Sequence, residues 1–320
     1  MEPNVIEVGE VAVHPGQRQQ IDLPVARLPT QTMLSLPITV INGVQSGPCL
    51  WLSAAIHGDE LNGVDIIRQV LEQVNPQILC GTLLAVPIVN VFGFIEQSRY
   101  LPDRRDLNRS FPGSVRGSLA GRLAHLFMKE VVSHCTHGID LHTASNHRTN
   151  WPQIRANLDD AETYRCAKAF NAPLMLHANI RDGSLRQAAA QQGIPVLLYE
   201  AGEALRFDPH AIAIGVTGIL QVMTTLGMLR PPVQQPSSEQ SQSLELRQSR
   251  WVRASRSGIL HKHVALGQQV TKRQHIGSIS DTLGDTSIKI YSPCAGVIIG
   301  YTQNPLVNQG DGIVHIAQQL

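Results

Sequence analysis

Neither sign of charge prevails in this chain: 26 Lys and Arg stand against 25 Asp and Glu among 320 residues. Without a net field there is no general attraction to nucleic acid or to an anionic membrane, so partners must be sought in local sites. No apolar run approaches the roughly 18 residues needed to cross a bilayer. The first thirty residues carry acidic groups where a signal peptide has its basic start, and no apolar stretch follows, so the expectation is a cytoplasmic protein. Cysteine is scarce as well. Cys49, Cys80, Cys135, Cys166 and Cys294 are odd in number, scattered and without a CxxC pair. That argues against a disulfide framework and a thiolate zinc centre, and leaves reduced, mostly buried small hydrophobes. What is present, 42% hydrophobic residues, suffices for one large core and a smaller one.

The stretch from Pro231 to Ser243 is rich in Pro, Ser and Gln and has almost nothing to bury, the composition of a linker. The expected organisation is a large first domain over residues 1–230, a linker over 231–249 and a small β domain over 250–320. In the first part, Cys49 to Ile56 reads as a buried strand, and Leu61, Val64, Ile67, Val70, Leu71 and Val74 then recur at helical spacing. Further strands are expected at 83–89, 138–141, 173–177 and 195–199, and helices at 119–132 and 208–226. Asp208 suits an N-cap, Pro209 the first helical position and Gly227 the C-terminal stop. The alternation predicts an α/β sheet flanked by helices. The tail repeats itself: Gly258-Ile-Leu through Ile276-Gly-Ser-Ile279 is echoed by Gly296-Val-Ile through Ile313-Val-His-Ile316. Two hairpin-rich halves of this kind predict a small all-β barrel or sandwich.

His57-Gly58-Asp59-Glu60 stands where the first strand gives way to its helix. An imidazole and a carboxylate three residues apart on a turn can converge on one cation, and Zn²⁺ accepts such ligands while keeping a position open for water. A surface His and Glu would satisfy the same pattern. A second strand, Gly138-Ile-Asp-Leu-His142, also delivers a histidine at its carboxyl end, the edge along which open α/β sheets build their sites. Asp140 points to the same side, either to hold a ligand imidazole or simply as a capping carboxylate. Ile194 to Tyr199 is an apolar run that ends in Glu200. A carboxylate there is costly without a purpose, and burial moves such a group toward the range useful for proton transfer. Glu200 is therefore the expected general base, with Glu203 its competitor.

Between these elements the segment Ser98 to Gly113 holds Arg99, Arg104, Arg105 and Arg109 among turn residues. Guanidinium groups favour carboxylates, and Asn108 can add hydrogen bonds to substrate. A metal at one end and arginines at the other would suit hydrolysis of an amide beside an anionic group.

Taken in order, His57-Gly-Asp-Glu60, Asp106-Leu-Asn-Arg109, Asp140-Leu-His142 and Glu200-Ala-Gly202 resemble the succinylglutamate desuccinylase/aspartoacylase group of the zinc carboxypeptidase superfamily. The resemblance spans nearly the whole chain. It implies a mixed, mainly parallel sheet between helices with a C-terminal β domain, and one Zn²⁺ per chain on His57, Glu60 and His142. It implies Glu200 as base and proton shuttle, Asn108 and Arg109 on the substrate carboxylate, and an upstream arginine on the scissile carbonyl. Arg99 matches that arginine best, Arg104 and Arg105 compete for it, and Arg105 is also assigned to substrate binding. The expected activity is hydrolysis of an N-acyl amino acid or a related small amide bearing a carboxylate. The alternatives are removal of a terminal residue from a peptide, or a non-catalytic binding role. Neither nucleic acid nor membrane is expected as a partner, and homo-oligomerisation is left open. Tyr291-Ser-Pro-Cys-Ala-Gly-Val297 resembles a biotinyl or lipoyl carrier barrel, but no Met-Lys-Met-like tip precedes it, so no lipoylation or biotinylation is expected.

Overall fold

The computed structural model describes residues 5–178, 182–231 and 243–318. The apolar run beginning at Cys49 forms the inner part of the strand Gln45–Ala54, buried on both faces and so continuously apolar instead of alternating. It lies at the centre of a large sheet. Cys80–Val86, Gln45–Ala54, His137–Ala144 and Val196–Glu203 run parallel in that spatial order. On one side Met33–Asn42 and then Gln17–Arg27 add antiparallel strands. On the other, Arg148–Ala156 pairs antiparallel with Val196–Glu203 and parallel with Leu174–His177. The sheet is thus mixed, with its parallel strands in the middle.

Helices cover both faces. Asn62–Gln73, Ala161–Phe170 and Pro209–Thr225 bury Ile66, Phe170 and Ile219 in one core cluster. Leu119–Glu130 and Leu185–Gln191 bury Phe127 and Leu185 in the other. The expected punctuation of Pro209–Thr225 is found: the Asp208 carboxylate accepts from the amides of His210 and Ala211 at 3.0 and 3.1 Å, a cap contributing about 1 kcal/mol. Gly227 follows at φ 75°.

Each half of the C-terminal repeat is an antiparallel pair. Gly258–Lys262 pairs with His275–Ser280, setting Leu260 against Ile279, and Gly296–Thr302 pairs with Gly312–Gln318, setting Ile298 against Ile316. These four side chains share one buried cluster. The second pair does not stand apart from the large sheet: Gly296–Thr302 joins the edge of Arg148–Ala156, with Gly300 opposite Asn150. Of the stretch expected as linker, 232–242 lie outside the described residues. Leu244–Leu246 forms a strand parallel to Leu174–His177, its leucines packed with Leu174, Leu176 and Ile299. Three residues are too short a run to stand out in a polar sequence. All five cysteines are free.

Candidate active site

The strand Gln45–Ala54 ends at Ala55, which sits at φ 48°, a left-handed conformation that turns the chain toward His57. The next turn is tight. A Cβ on Gly58 would stand 1.9 Å from the carbonyl carbon of Gly93, and the Gly58 amide donates to the Ser98 carbonyl at 3.0 Å. Only glycine permits this approach, which fastens the His57–Glu60 turn to the segment leading into Arg99. His142 arrives on the neighbouring parallel strand, and Glu200 lies opposite His142 in the next pair.

The two imidazoles meet, with ring centroids 5.2 Å apart. His57 Nδ1 is 2.7 Å from Glu60 Oε1 and His142 Nδ1 is 2.8 Å from Glu60 Oε2. Each outer nitrogen has a carboxylate of its own, His57 Nε2 with Asp106 Oδ1 at 3.2 Å and His142 Nε2 with Asp140 Oδ2 at 2.7 Å. Asp140 is held in turn by the Ser53 hydroxyl, which donates to it at 2.7 Å. All three candidate ligands are buried, as is Asp140.

The electrostatics agree with the geometry. Burial alone would raise Glu60, but His57 and His142 outweigh it and hold the carboxyl well below the usual carboxylate range. Burial would lower His142, yet Asp140 and Glu60 drive it well above the usual imidazole value, and His57 moves up for the same reason against Glu60 and Asp106. Asp106 goes down: His57 and Arg99 outweigh its burial. The common direction is a preference for positive charge among three carboxylates, a condition a divalent cation meets with both imidazoles neutral. His57, Glu60 and His142 bring their ligand atoms within 4.8 Å of one another and could hold a metal ion. Two nitrogens and a carboxylate without thiolate are a donor set that zinc accepts. Opposed ring nitrogens on carboxylates are the usual way ligand imidazoles are oriented.

These residues line a cleft of ≈ 530 Å³ with Arg99, Asn108, Arg109 and Glu200. Arg99 donates to Asp106 Oδ2 at 2.8 Å and to the Ser145 hydroxyl at 3.2 Å, and its Nη1 lies 3.7 Å from Glu60 Oε1. Asn108 is buried, and its side-chain oxygen accepts from the Leu185 amide at 2.9 Å. Arg109 Nη1 donates to the Asn108 carbonyl at 2.5 Å. Arg105 does not line the cleft. It is 63% exposed, with Nε 3.8 Å from Asp103, because the turn closed by Arg104 N–H on the Leu101 carbonyl at 2.8 Å directs it to solvent. Arg104, at φ 61°, is exposed too. Glu203 also stays outside the cleft, 3.5 Å from Arg206.

Glu200 differs from expectation in its surroundings. It is not in an apolar setting: Asn150 Nδ2 donates to Oε1 at 2.7 Å and Arg155 Nε to Oε2 at 2.9 Å. Neither partner was identified from the sequence. Both come from Arg148–Ala156, and their meeting with Glu200 depends on the antiparallel pairing with Val196–Glu203. The only local signal is polar residues within a β-type run. Arg148 and Trp251, which line the outer cleft, had no signal beyond their residue type.

Residues 46–226 match the succinylglutamate desuccinylase/aspartoacylase catalytic domain, a span that includes every cleft residue from His57 to Glu200. Over 293 residues, covering 88% of this chain and 85% of the relative, the sequence is 29% identical to the N-alpha-acetyl-L-2,4-diaminobutyric acid deacetylase of Halomonas elongata. The crystal structure of a succinylglutamate desuccinylase/aspartoacylase from Rhodobacter sphaeroides is similar at 25% identity and TM-score 0.83, over 95% of this chain and 96% of that one. The product-bound ectoine utilization protein of Ruegeria pomeroyi shares the fold at TM-score 0.84 and 23% identity, over 94% of this chain and 95% of that one. The chain belongs to the succinylglutamate desuccinylase/aspartoacylase family.

Proposed function

We propose that this protein is a zinc-dependent deacylase of the cytoplasm that hydrolyses the amide bond of an N-acyl amino acid. The observation that carries this reading is the convergence of His57, Glu60 and His142 with Glu200, Asn108 and Arg109 in one cleft. Its volume of ≈ 530 Å³ suits a small molecule. Zinc on His57, Glu60 and His142 would supply Lewis-acid polarisation and a more acidic water. Glu200 takes a proton from the attacking water and returns it to the departing amine, so amide and water become carboxylate and amine. Arg155 and Asn150 hold both oxygens of Glu200 and fix its direction. Arg99, which lies beside Glu60 and His57, receives the oxyanion that develops on the scissile carbonyl. Arg109 and the side-chain amide of Asn108 bind the α-carboxylate.

The test is a screen of the purified zinc-loaded protein against N-acetyl and N-succinyl amino acids, with short peptides in parallel. Release of free amino acid from the acylated compounds is expected. The reading is sunk by stoichiometric zinc without cleavage of any of them, or by faster release from peptides.

A further inference from the structure

The strand His137–Ala144 brings His142 to the cleft near its carboxyl end, and a second group of ligand-type side chains gathers at its amino end. His137 opens the strand, while Glu162 and Cys166 stand one turn apart on the helix Ala161–Phe170 and so share a face. His137 Nε2 is 2.8 Å from Glu162 Oε1, and Cys166 Sγ is 4.0 Å from the same oxygen. All three ligand atoms lie within 4.8 Å of one another, a closeness met among the described residues by this group and by His57, Glu60 and His142. No CxxC pair or other local pattern marks the cluster, because its members meet only through the packing of helix against sheet.

The hydrogen bonds around His137 fix which of its nitrogens is bare. The Thr136 hydroxyl gives its one proton to the Cys49 carbonyl at 2.9 Å and accepts from the Cys49 amide at 3.2 Å. Toward His137 Nδ1, 2.8 Å away, it can then only accept, so Nδ1 carries the hydrogen. A neutral ring of this tautomer turns the lone pair of Nε2 onto a carboxylate oxygen. Two lone pairs at 2.8 Å repel unless a proton or a cation lies between them. An opposed ring nitrogen held by an oxygen is also the usual arrangement of a ligand imidazole.

Glu162 keeps room for such a cation. Arg165 donates to Oε2 at 2.8 Å and to Oε1 at 2.5 Å, and each carboxylate oxygen has two acceptor sites. Oε1 therefore retains one, on the side of His137. A cavity of ≈ 460 Å³ is lined by Thr136, His137 and Glu162, and a void of ≈ 10 Å³ by His137, Thr163 and Cys166. The larger one offers an entry path and a water for a fourth coordination position.

We propose that His137, Glu162 and Cys166 form a second zinc site, which fastens the helix Ala161–Phe170 to the amino end of the strand His137–Ala144. One imidazole, one carboxylate and one thiolate, completed by water, are a donor set that zinc accepts. Binding forms Zn–N, Zn–O and Zn–S bonds; the Cys166 thiol proton, and any proton held between His137 and Glu162, pass to solvent, and no electron moves. The site takes no part in the chemistry of the cleft and does not depend on the deacylase reading. It differs from the cleft centre in a measurable way, because it alone contains sulfur.

The test uses the full chain, loaded with Zn²⁺ or Co²⁺ and freed of loosely bound metal by gel filtration, beside Cys166→Ser and His137→Gln. Wild type should hold one metal equivalent per chain more than either variant, a difference that reads the same whether or not the cleft is loaded. The Co²⁺ form of the wild type should show the near-ultraviolet absorption of thiolate-to-cobalt charge transfer, which His57, Glu60 and His142 cannot produce. Cys166→Ser should abolish that band, and His137→Gln should abolish or weaken it. Circular dichroism checks that the variants fold; if Cys166→Ser does not, the wild-type spectrum and the metal content of His137→Gln decide. Absence of the band in the wild type, a band that survives Cys166→Ser, or equal metal content in wild type and variants would overturn the inference and leave His137 and Glu162 a protonated ion pair.

Discussion

Replacing Glu200 by Gln separates the chemistry of the proposed base from its place in the fold. The carboxylate accepts from Asn150 at 2.7 Å and from Arg155 at 2.9 Å. In the variant the single carbonyl oxygen can still serve Arg155, and the new amide group faces Asn150, whose own amide can turn to offer its oxygen. What is lost locally is one charge-assisted interaction. With Glu200 and Arg155 17% and 22% exposed, water can take part, and the cost should stay near the lower end of about 1.5–3 kcal/mol. In a chain of this size that lowers the melting temperature by only a few degrees. Loss of a general base costs about 10²–10⁴-fold in kcat, or roughly 3–5.5 kcal/mol of barrier. The expected result is a folded protein with wild-type metal content and kcat down by at least about 10²-fold. Steady-state kinetics on the best substrate of the screen, metal analysis and thermal unfolding read the three quantities. A kcat within tenfold of wild type at full metal content would refute the assignment. Loss of the metal would make Glu200 a ligand instead.

Three further outcomes follow from the geometry. Asp140→Ala strips the acceptor from His142 Nε2 and from the Ser53 hydroxyl; metal affinity should fall about 10- to 100-fold in chelator competition, and a change below about threefold would show that Asp140 does not orient the ligand. Gly300→Ala would put a methyl 2.5 Å from Asn150 Oδ1 and 3.0 Å from the Thr149 carbonyl; the displaced Asn150 should loosen Glu200 and lower kcat about tenfold without loss of metal, and unchanged kcat would count against Asn150 as its positioner. His315 is pushed from 6.5 down to about 3, mainly by burial. The unfolded chain therefore binds that proton more readily, and the contribution to stability is full above pH 6.5 and lost as pH falls from 6.5 toward 3. Within this window the loss amounts to up to about 1.4 kcal/mol per pH unit, so thermal unfolding of His315→Gln should fall less steeply with acid than that of wild type; parallel curves would contradict the burial argument.

His57, His142 and Glu200 were legible as candidates because each follows an apolar run toward the same edge of the sheet. A strand has period two and an end, both visible in an apolar run, and His57, His142 and Glu200 each stand directly after such a run. Parallel neighbours then bring those ends together without further information. Arg105 shows the limit of the same logic. Nearness to Arg109 in sequence carries no direction for a side chain on a turn, and Arg105 is carried outward by the hydrogen bonds that close the turn around Arg104. The position of Glu200 was likewise readable while its neighbours were not, because Arg155 and Asn150 approach it only through an antiparallel register 40 to 50 residues away in sequence.

Composition divides this chain at the Pro- and Gln-rich stretch beginning at Pro231, whereas the backbone joins what composition separates. Gly300 of the tail pairs with Asn150, Asn150 holds Glu200, and Trp251 of the tail lies beneath Arg148. The C-terminal unit therefore reaches the cleft in two ways that no local pattern records: through the backbone paired with Asn150, which donates to Glu200, and through Trp251, which lies beneath Arg148. Gly300→Ala and Trp251→Leu separate the two. If Gly300 supports Glu200 through Asn150, the first variant lowers kcat for every substrate alike, and the second does so less. An equal effect of both on all substrates would mean that the tail merely stabilises the sheet edge.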